Sequence, residues 1–404
     1  MEPAYARRVD TVALHADPDF DFAARCLLNG AAYGMADPEA VLRAIAPVPV
    51  GDRDAWFTAL TSLGDRDHAI GDACAAAGHR VSARDAYLRA ANARFAGFYY
   101  MLGTTEPERW ASAWTAHRAS TEAAFGHWDT PVVTVTATTS GFAMPVWVFT
   151  PRPPATRLLV LHNGFGAPLS DAVMTAVVDG VRRGWAVAAF DGPGQGRLLV
   201  HDAIAPVDDW GAVGRAVVDA AQAALDTNEI PVALLGVAGG SVLATLAAAD
   251  DGRVQALACD PGVVRPIDDA LGQLPDSVGA AWRSGDHTAA ARAFAEAAAD
   301  LDHAFAARKA LEAWPGCDAV AMLDQLAGWE VTDAARALTI PTVIAEAQSA
   351  MGFVGQSREL AALVGGPVEV LTFTDAEGAG LDCEIGAPGL RAQCIFDALE
   401  RALT

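Results

Sequence analysis

The stretch Ile230–Ser241, IPVALLGVAGGS, has the spacing of a site for nucleophilic catalysis. Pro231–Leu235 reads as a buried strand, the glycines as a sharp turn, and a helix is expected to start near Ser241. A strand–turn–helix of the form G-x-S-x-G is a nucleophile elbow, whose turn exposes a serine hydroxyl to a carbonyl carbon. Here the run is Gly236-Val237-Ala238-Gly239-Gly240, so the frame is intact but its nucleophile position carries a methyl group. A methyl group cannot attack a carbonyl. The backbone of such a turn keeps a second capacity. The N–H groups of Gly239 and of Phe165, in His162-Asn163-Gly164-Phe165-Gly166, sit at the turns expected of an oxyanion hole. These donors stabilise any developing oxyanion, an enolate included, and one donor is worth about 3–4 kcal/mol of barrier.

Proton transfer then needs an acid or base near the strand ends. His162 closes a strand beside the oxyanion turn and is the best-placed histidine; the alternative is a histidine of the core. Asn163 can donate to a substrate oxygen. Asp260 ends the strand after the elbow, although Asp260-Pro261-Gly262 is also a turn signal. Asp191 opens Asp191-Gly-Pro-Gly-Gln-Gly196, as a substrate contact or as the residue that orders the loop. Asp268 and Asp269 face a pocket or cap a helix start.

The elements that must hold these residues fall into three blocks. Residues 1–130 read as an all-helical N-terminal domain, with stretches at Phe22–Tyr33, Pro38–Ile45, Ala55–Leu63, Asp65–Ala77, Ser82–Tyr99 and Glu106–Phe125. Ser82 with Asp85 resembles an N-cap and its N3 acid. Trp56, Trp110, Trp114 and Trp128 are expected in the core, a minority of them lining a pocket. Residues 131–404 read as the α/β core. Val132–Thr138 and Ala143–Thr150 form a hairpin around Thr139-Ser140-Gly141-Phe142, and Pro151–Pro154 breaks the structure. Apolar strands at Arg157–His162, Trp185–Phe190, Pro231–Leu235, Val254–Cys259, Pro341–Glu346 and Pro367–Phe373 alternate with helices. That alternation predicts a doubly wound, mostly parallel eight-stranded sheet. The interval of about 265–330, with a helix over Ala289–Leu311 and Trp282, Trp314 and Trp329, reads as an inserted helical cap over the carboxyl ends of the strands.

With these pieces in order, the chain resembles the α/β-hydrolases. The subgroup it most resembles is the dihydroxypseudooxynicotine hydrolase and fermentation–respiration switch protein (FrsA-like) group. The helical block, Gly164-Phe165-Gly166, the DGPGQG run, the elbow frame, Gly355-Gln356 and Glu377-Gly378-Ala379-Gly380-Leu381-Asp382-Cys383 carry the likeness. The resemblance implies an α/β-hydrolase fold and a Ser, Asp, His triad in chain order. All three positions depart from it. Ala238 stands for the serine. Ser349, or Gln348 if the loop shifts, stands for the aspartate in Ala345-Glu346-Ala347-Gln348-Ser349. Asp382 stands for the histidine, and the last histidine of the chain is His303. Asp382 is thus the first choice as acid or base, or else a solvated loop carboxylate. Its neighbour Cys383 lies where it contacts substrate, but no cation is evident to make it a thiolate.

Without a histidine there is no base for a serine and no acid for a leaving group. The expected activity is therefore non-hydrolytic: a cyclase, isomerase or lyase acting on an apolar carbonyl compound such as a polyketide-like natural-product intermediate. Hydrolysis by carboxylate-activated water and a non-catalytic binding role are the alternatives. The net charge of −22 speaks against nucleic acid and anionic membranes. Six scattered cysteines suggest neither zinc nor a disulfide framework. No apolar run approaches the ~20 residues of a membrane span, and no signal peptide is evident. A cytoplasmic protein without metal or other cofactor is expected, with a small-molecule substrate as partner and a homodimer left open.

Overall fold

The computed structural model describes residues 12–139, 141–152, 154–299 and 304–404. Ser140 of the hairpin turn, Pro153 of the proline break, and residues 300–303 within the expected 289–311 helix, His303 among them, lie outside the described residues.

Five helices come first: α1 (Pro18–Asn29), α2 (Pro38–Ile45), α3 (Arg53–Ala76), α4 (Arg80–Phe98) and α5 (Trp110–Gly126). The two stretches expected at 55–63 and 65–77 are one helix, because Gly64 packs its bare Cα against Arg94 and breaks nothing. The expected cap at Ser82 is not one. α4 starts at Arg80, since Gly78, at φ +75°, already reverses the chain. These helices have their own core, in which Phe20 stacks on Trp56 with ring centres 4.5 Å apart. The Trp56 indole donates to the Ala96 carbonyl at 2.9 Å, so its one polar atom is satisfied inside.

The core sheet comprises β1 (Val132–Thr138), β2 (Ala143–Phe149), β3 (Arg157–His162), β4 (Trp185–Phe190), β5 (Val232–Val237), β6 (Val254–Asp260), β7 (Thr342–Ala347) and β8 (Val368–Phe373). Their order is β1-β2-β4-β3-β5-β6-β7-β8. β1 and β2 form the expected antiparallel hairpin, β2 runs antiparallel to β4, and the remaining pairs are parallel. The central strands read as continuous apolar runs because both faces are covered. Leu158 and Val160 point into one core, Leu159 and Leu161 into the other.

A π-helical turn (Val173–Val177) leads into α6 (Val178–Arg182). α7 (Gly196–Val200), α8 (Trp210–Ala224) and α9 (Gly240–Asp250) follow. Between β6 and β7 come α10 (Pro266–Gln273), α11 (Asp276–Arg283), α12 (His287–Ala299), α13 (Ala304–Ala310), α14 (Ala319–Gly328) and α15 (Thr332–Ala337), then α16 (Gln356–Leu363) and α17 (Pro388–Ala402) in the last third. Neither α7 nor α15 was expected. Each spans a single short turn or two after a loop, too short to show periodicity.

The sheet register sets the site. His162 pairs with Gly236, and Val237 pairs with Asp260, so the ends of β3, β5 and β6 are level. This is the carboxyl edge beside the point where the chain leaves β3 and β4 for β5, the crevice where open α/β sheets bind ligands. The elbow fits there through its glycines. A Cβ on Gly240 would stand 2.0 Å from the His162 carbonyl oxygen, whereas one on Gly239 would meet only the Phe165 ring at 3.9 Å. Gly240→Ala should therefore cost about 3 kcal/mol, the upper end of overpacking penalties, and Gly239→Ala much less. Urea unfolding midpoints of the two variants check this; equal midpoints would contradict it.

Candidate active site

Ala238 occupies the tip of the elbow at φ +50°, the left-handed region that L side chains avoid. Its N–H donates to the Asp260 carbonyl at 2.8 Å and its carbonyl accepts from Ser241 at 3.0 Å. Ser241, the nearest hydroxyl in the motif, is fully buried. It donates to the Gly236 carbonyl and accepts from the Asp260 N–H, clamping β5 to β6. It is no substitute nucleophile. The Ala238 methyl lines an open cleft of about 870 Å³ with Asp268 and Asp269 of α10, the Met351–Gly355 loop, Asp382 and Cys383. Among the described residues, the N–H groups of Gly239 and Phe165 donate to no side chain.

Asp382 is held at this cleft. Its carboxylate accepts from the N–H of Met351 at 3.1 Å and of Gly352 at 3.0 Å, fixing the loop after β7. Burial raises its carboxyl above the usual range, and those two amides oppose the shift. Asp269 stands nearby: a Cβ on Gly352 would lie 3.4 Å from Asp269 Oδ1 and 3.5 Å from Asp382 Oδ1. Burial raises Asp269 as well, with the Asp382 charge adding to it and Gln273, which donates at 2.8 Å, opposing it. Two carboxyls this near to one another each disfavour the other's charged form. Asp268 instead pairs with Arg265 at 3.0 Å.

The structure withdraws four expected site residues from the cleft. His162 is fully buried; its Nδ1 accepts from the Trp210 indole at 3.1 Å, and burial lowers it to about 3, so it stays neutral in the core. Asp260 turns its carboxylate beneath the site to Arg391, which also faces Glu384 at 3.6 Å. One guanidinium cannot neutralise two buried carboxylates. Burial, then the Asp260 charge, push Glu384 well up, so this pair retains a proton. Asp191 is paired with Arg118 of α5 and accepts from the Arg197 N–H at 3.0 Å, which orders the DGPGQG loop and ties the helical block to the sheet. Asn163 spends its amide on the Pro168 carbonyl at 3.3 Å, while its own carbonyl accepts from Gln195 at 2.7 Å. It shapes the oxyanion turn and lines neither cavity described here.

Ser349 donates to Asp375 Oδ2 at 2.7 Å, away from the cleft. Cys383 does line the cleft, but burial and then the Asp260 charge push its thiol well up, which removes it as a thiolate.

A second cavity, more enclosed and of about 270 Å³, lies on the other side of Phe22. α1, α4, α13 and the Phe165–Met174 segment wall it, so the N-terminal helices and the cap both contribute. It contains two charged residues the sequence reading passed over, Asp171 and Lys309. Asp171 follows Ser170 outside every motif of the chain. Lys309 carried one signal, being the single lysine of the chain. It pairs with Glu312 and lies over the Tyr99 ring at 4.3 Å. Groups of three or more His, Cys, Asp or Glu able to hold a metal are absent among the described residues. No described helix is long and apolar enough to cross a membrane.

No family model matches the sequence. Over 94% of this chain and 95% of the other, the fold superposes on the crystal structure of the 2,6-dihydroxy-pseudo-oxynicotine hydrolase, with a TM-score of 0.71 at 19% identity. The eight-stranded sheet, the elbow and that superposition decide the fold. The chain has the α/β-hydrolase fold. Among its relatives in sequence are the hydrolase ORFZ of Pyricularia oryzae, 32% identical over 260 residues (60% of this chain, 61% of that one). Another is the α/β hydrolase gkaG of Penicillium citrinum, 30% identical over 279 residues (66% and 64%). The chain thus spans somewhat over three fifths of the length of the curated relatives it matches.

Two predictions follow from the charges. Arg391→Met leaves Asp260 and Glu384 buried without their cation and should destabilise the fold by about 3–5 kcal/mol; a melt that moves by under a degree contradicts the pairing. Ala238→Ser places a hydroxyl at the elbow with no histidine beside it. It should hydrolyse p-nitrophenyl butyrate no faster than the unmodified chain, and a burst of p-nitrophenol would show that a base is present after all.

Proposed function

We propose that this α/β-hydrolase-fold protein is a non-hydrolytic enzyme of carbonyl chemistry, a cyclase, isomerase or lyase acting on an apolar small molecule such as a polyketide-like intermediate. The observation that carries the reading is the elbow itself, kept in its left-handed geometry but presenting the Ala238 methyl where a hydroxyl would attack. A substrate carbonyl oxygen placed at the N–H groups of Gly239 and Phe165 is polarised towards an enolate without meeting a nucleophile. Asp382, held by two amides and close to Asp269, moves the proton, and the pair's shared charge lets one carboxyl act while the other is neutral.

A second reading, hydrolysis by carboxylate-activated water, is favoured by the names of the relatives, which are hydrolases. It draws on the same two carboxyls. A purely binding role fits less well with an open cleft at Ala238.

The test is untargeted. Purified protein is incubated with an extract of cells lacking its gene, and compounds are followed by mass spectrometry. The expected result is one compound replaced by another of unchanged mass, or of mass reduced by water, and about 100-fold slower with Asp382→Asn. A product heavier by one water would replace this reading with hydrolysis.

A further inference from the structure

The enclosed chamber beyond Phe22 has walls of Phe95, Tyr99, Phe165 and Met174, and Asp171 projects among them. Burying a carboxylate in such surroundings is costly unless it is paired. Several buried carboxylates of this chain follow that rule: Asp191 meets Arg118, Asp251 meets Arg253, and Asp260 and Glu384 face Arg391. Asp171 does not. Among the described residues no donor bonds to its carboxylate, and none of its polar atoms is sealed from the cavity. The one cation of the chamber, Lys309, is already paired with Glu312.

Phe165 connects this chamber to the elbow. Its ring lines the chamber, lies 3.9 Å from where a Gly239 Cβ would be, and stacks on Trp329, while its N–H is one of the two donors of the oxyanion site proposed above. A substrate with its carbonyl oxygen at the elbow therefore has one flank towards the chamber and the other towards the cleft that holds Asp382.

We propose that the chamber receives an apolar arm of the substrate and that Asp171 is the catalytic base for the carbon next to the carbonyl. The proposal rests on the enolisation reading above. In the step, the Asp171 carboxylate takes a proton from that carbon. The C–H electron pair becomes the C=C bond of the enolate, and the carbonyl π pair moves to the oxygen at Gly239 and Phe165. Asp382, on the cleft side, then supplies a proton to the opposite face of that same carbon, as the enolate pair returns to it and the oxygen pair re-forms the carbonyl, giving the epimer. Nothing is oxidised or reduced. The substrate class is thus a ketone whose carbon next to the carbonyl is a stereocentre that carries the apolar arm.

The first half of this reaction can be read without the natural substrate. The unmodified protein is incubated with 2-nonanone in D₂O, and deuterium entering next to the carbonyl is measured above the buffer rate. The expected result is measurable exchange that falls at least about 100-fold in Asp171→Asn, a larger loss than in Asp382→Asn. The exchange rate of the unmodified protein should climb with pH through about 7, where burial has pushed the Asp171 carboxyl. The other titratable groups facing the chamber are Cys26, Tyr99, Tyr100 and Lys309; burial raises Cys26 and both tyrosines, and the Glu312 and Tyr99 charges hold Lys309 up.

Folding of the variant is checked by its melt. A carboxyl raised in the folded state loses stability as pH climbs from the unfolded value towards the folded one. Asp171→Asn should thus melt higher than the unmodified chain at pH 8 and not at pH 4. A larger loss of exchange in Asp382→Asn than in Asp171→Asn, or a rate flat from pH 5 to 9, overturns the assignment to Asp171 and leaves enolisation standing. No exchange by the unmodified protein overturns enolisation itself, and the assignment with it.

Discussion

A single backbone constraint organises this molecule, the left-handed turn at Ala238. A non-glycine residue there costs about 1–2 kcal/mol, and three features hold it. The missing side chain of Gly240 lets α9 press against the His162–Asn163 backbone, the missing side chain of Gly236 lets Ser241 lie against β5, and the Ala238 N–H is tied to β6. Together they bring Gly239 to the sheet edge beside the Phe165 ring. The methyl of Ala238 takes no part in this. The elbow's geometry therefore does not depend on a hydroxyl at position 238, and the proposed oxyanion site draws on backbone alone.

Charge is divided according to the same geometry. Beneath the elbow, Arg391 holds Asp260 and Glu384, and to one side Arg118 holds Asp191, so these carboxylates are structural ties between helices and strand ends. Above it, Asp382 and Asp269 meet amides rather than cations, and Asp171 meets neither. A carboxylate locked to arginine is a poor acid or base, since its proton affinity is set by the pair. One held only by amides, or by nothing, can change its protonation state.

The sheet was legible in the sequence because its central strands are buried on both faces and read as unbroken apolar runs, so Arg157–His162 and Trp185–Phe190 match their expected bounds. The elbow was legible because glycine spacing there is dictated by backbone contact. The side chains were less so. His162 and Asp260 stand at the right strand ends, but whether a strand-end residue turns up to the cleft or down to the core depends on partners distant in sequence, Trp210 and Arg391. Asp171 and Lys309 come together only through packing of α1, α4 and α13 around the oxyanion loop, which leaves no mark in local spacing. Asp382 could be placed through the family resemblance alone; its nearness to Asp269 could not.

The central claim, that the elbow binds an oxyanion although it has no nucleophile, is open to one direct measurement. The backbone amides of Gly239 and Phe165 can be followed by ¹H–¹⁵N NMR in selectively labelled protein while a phenolate, a stable mimic of an enolate, is titrated in. Saturable downfield shifts of both amide protons, with smaller changes elsewhere in the cleft, are predicted, as expected for two N–H groups donating to one charged oxygen. Phenolate binding that leaves those two signals in place, or no binding at all, would contradict it.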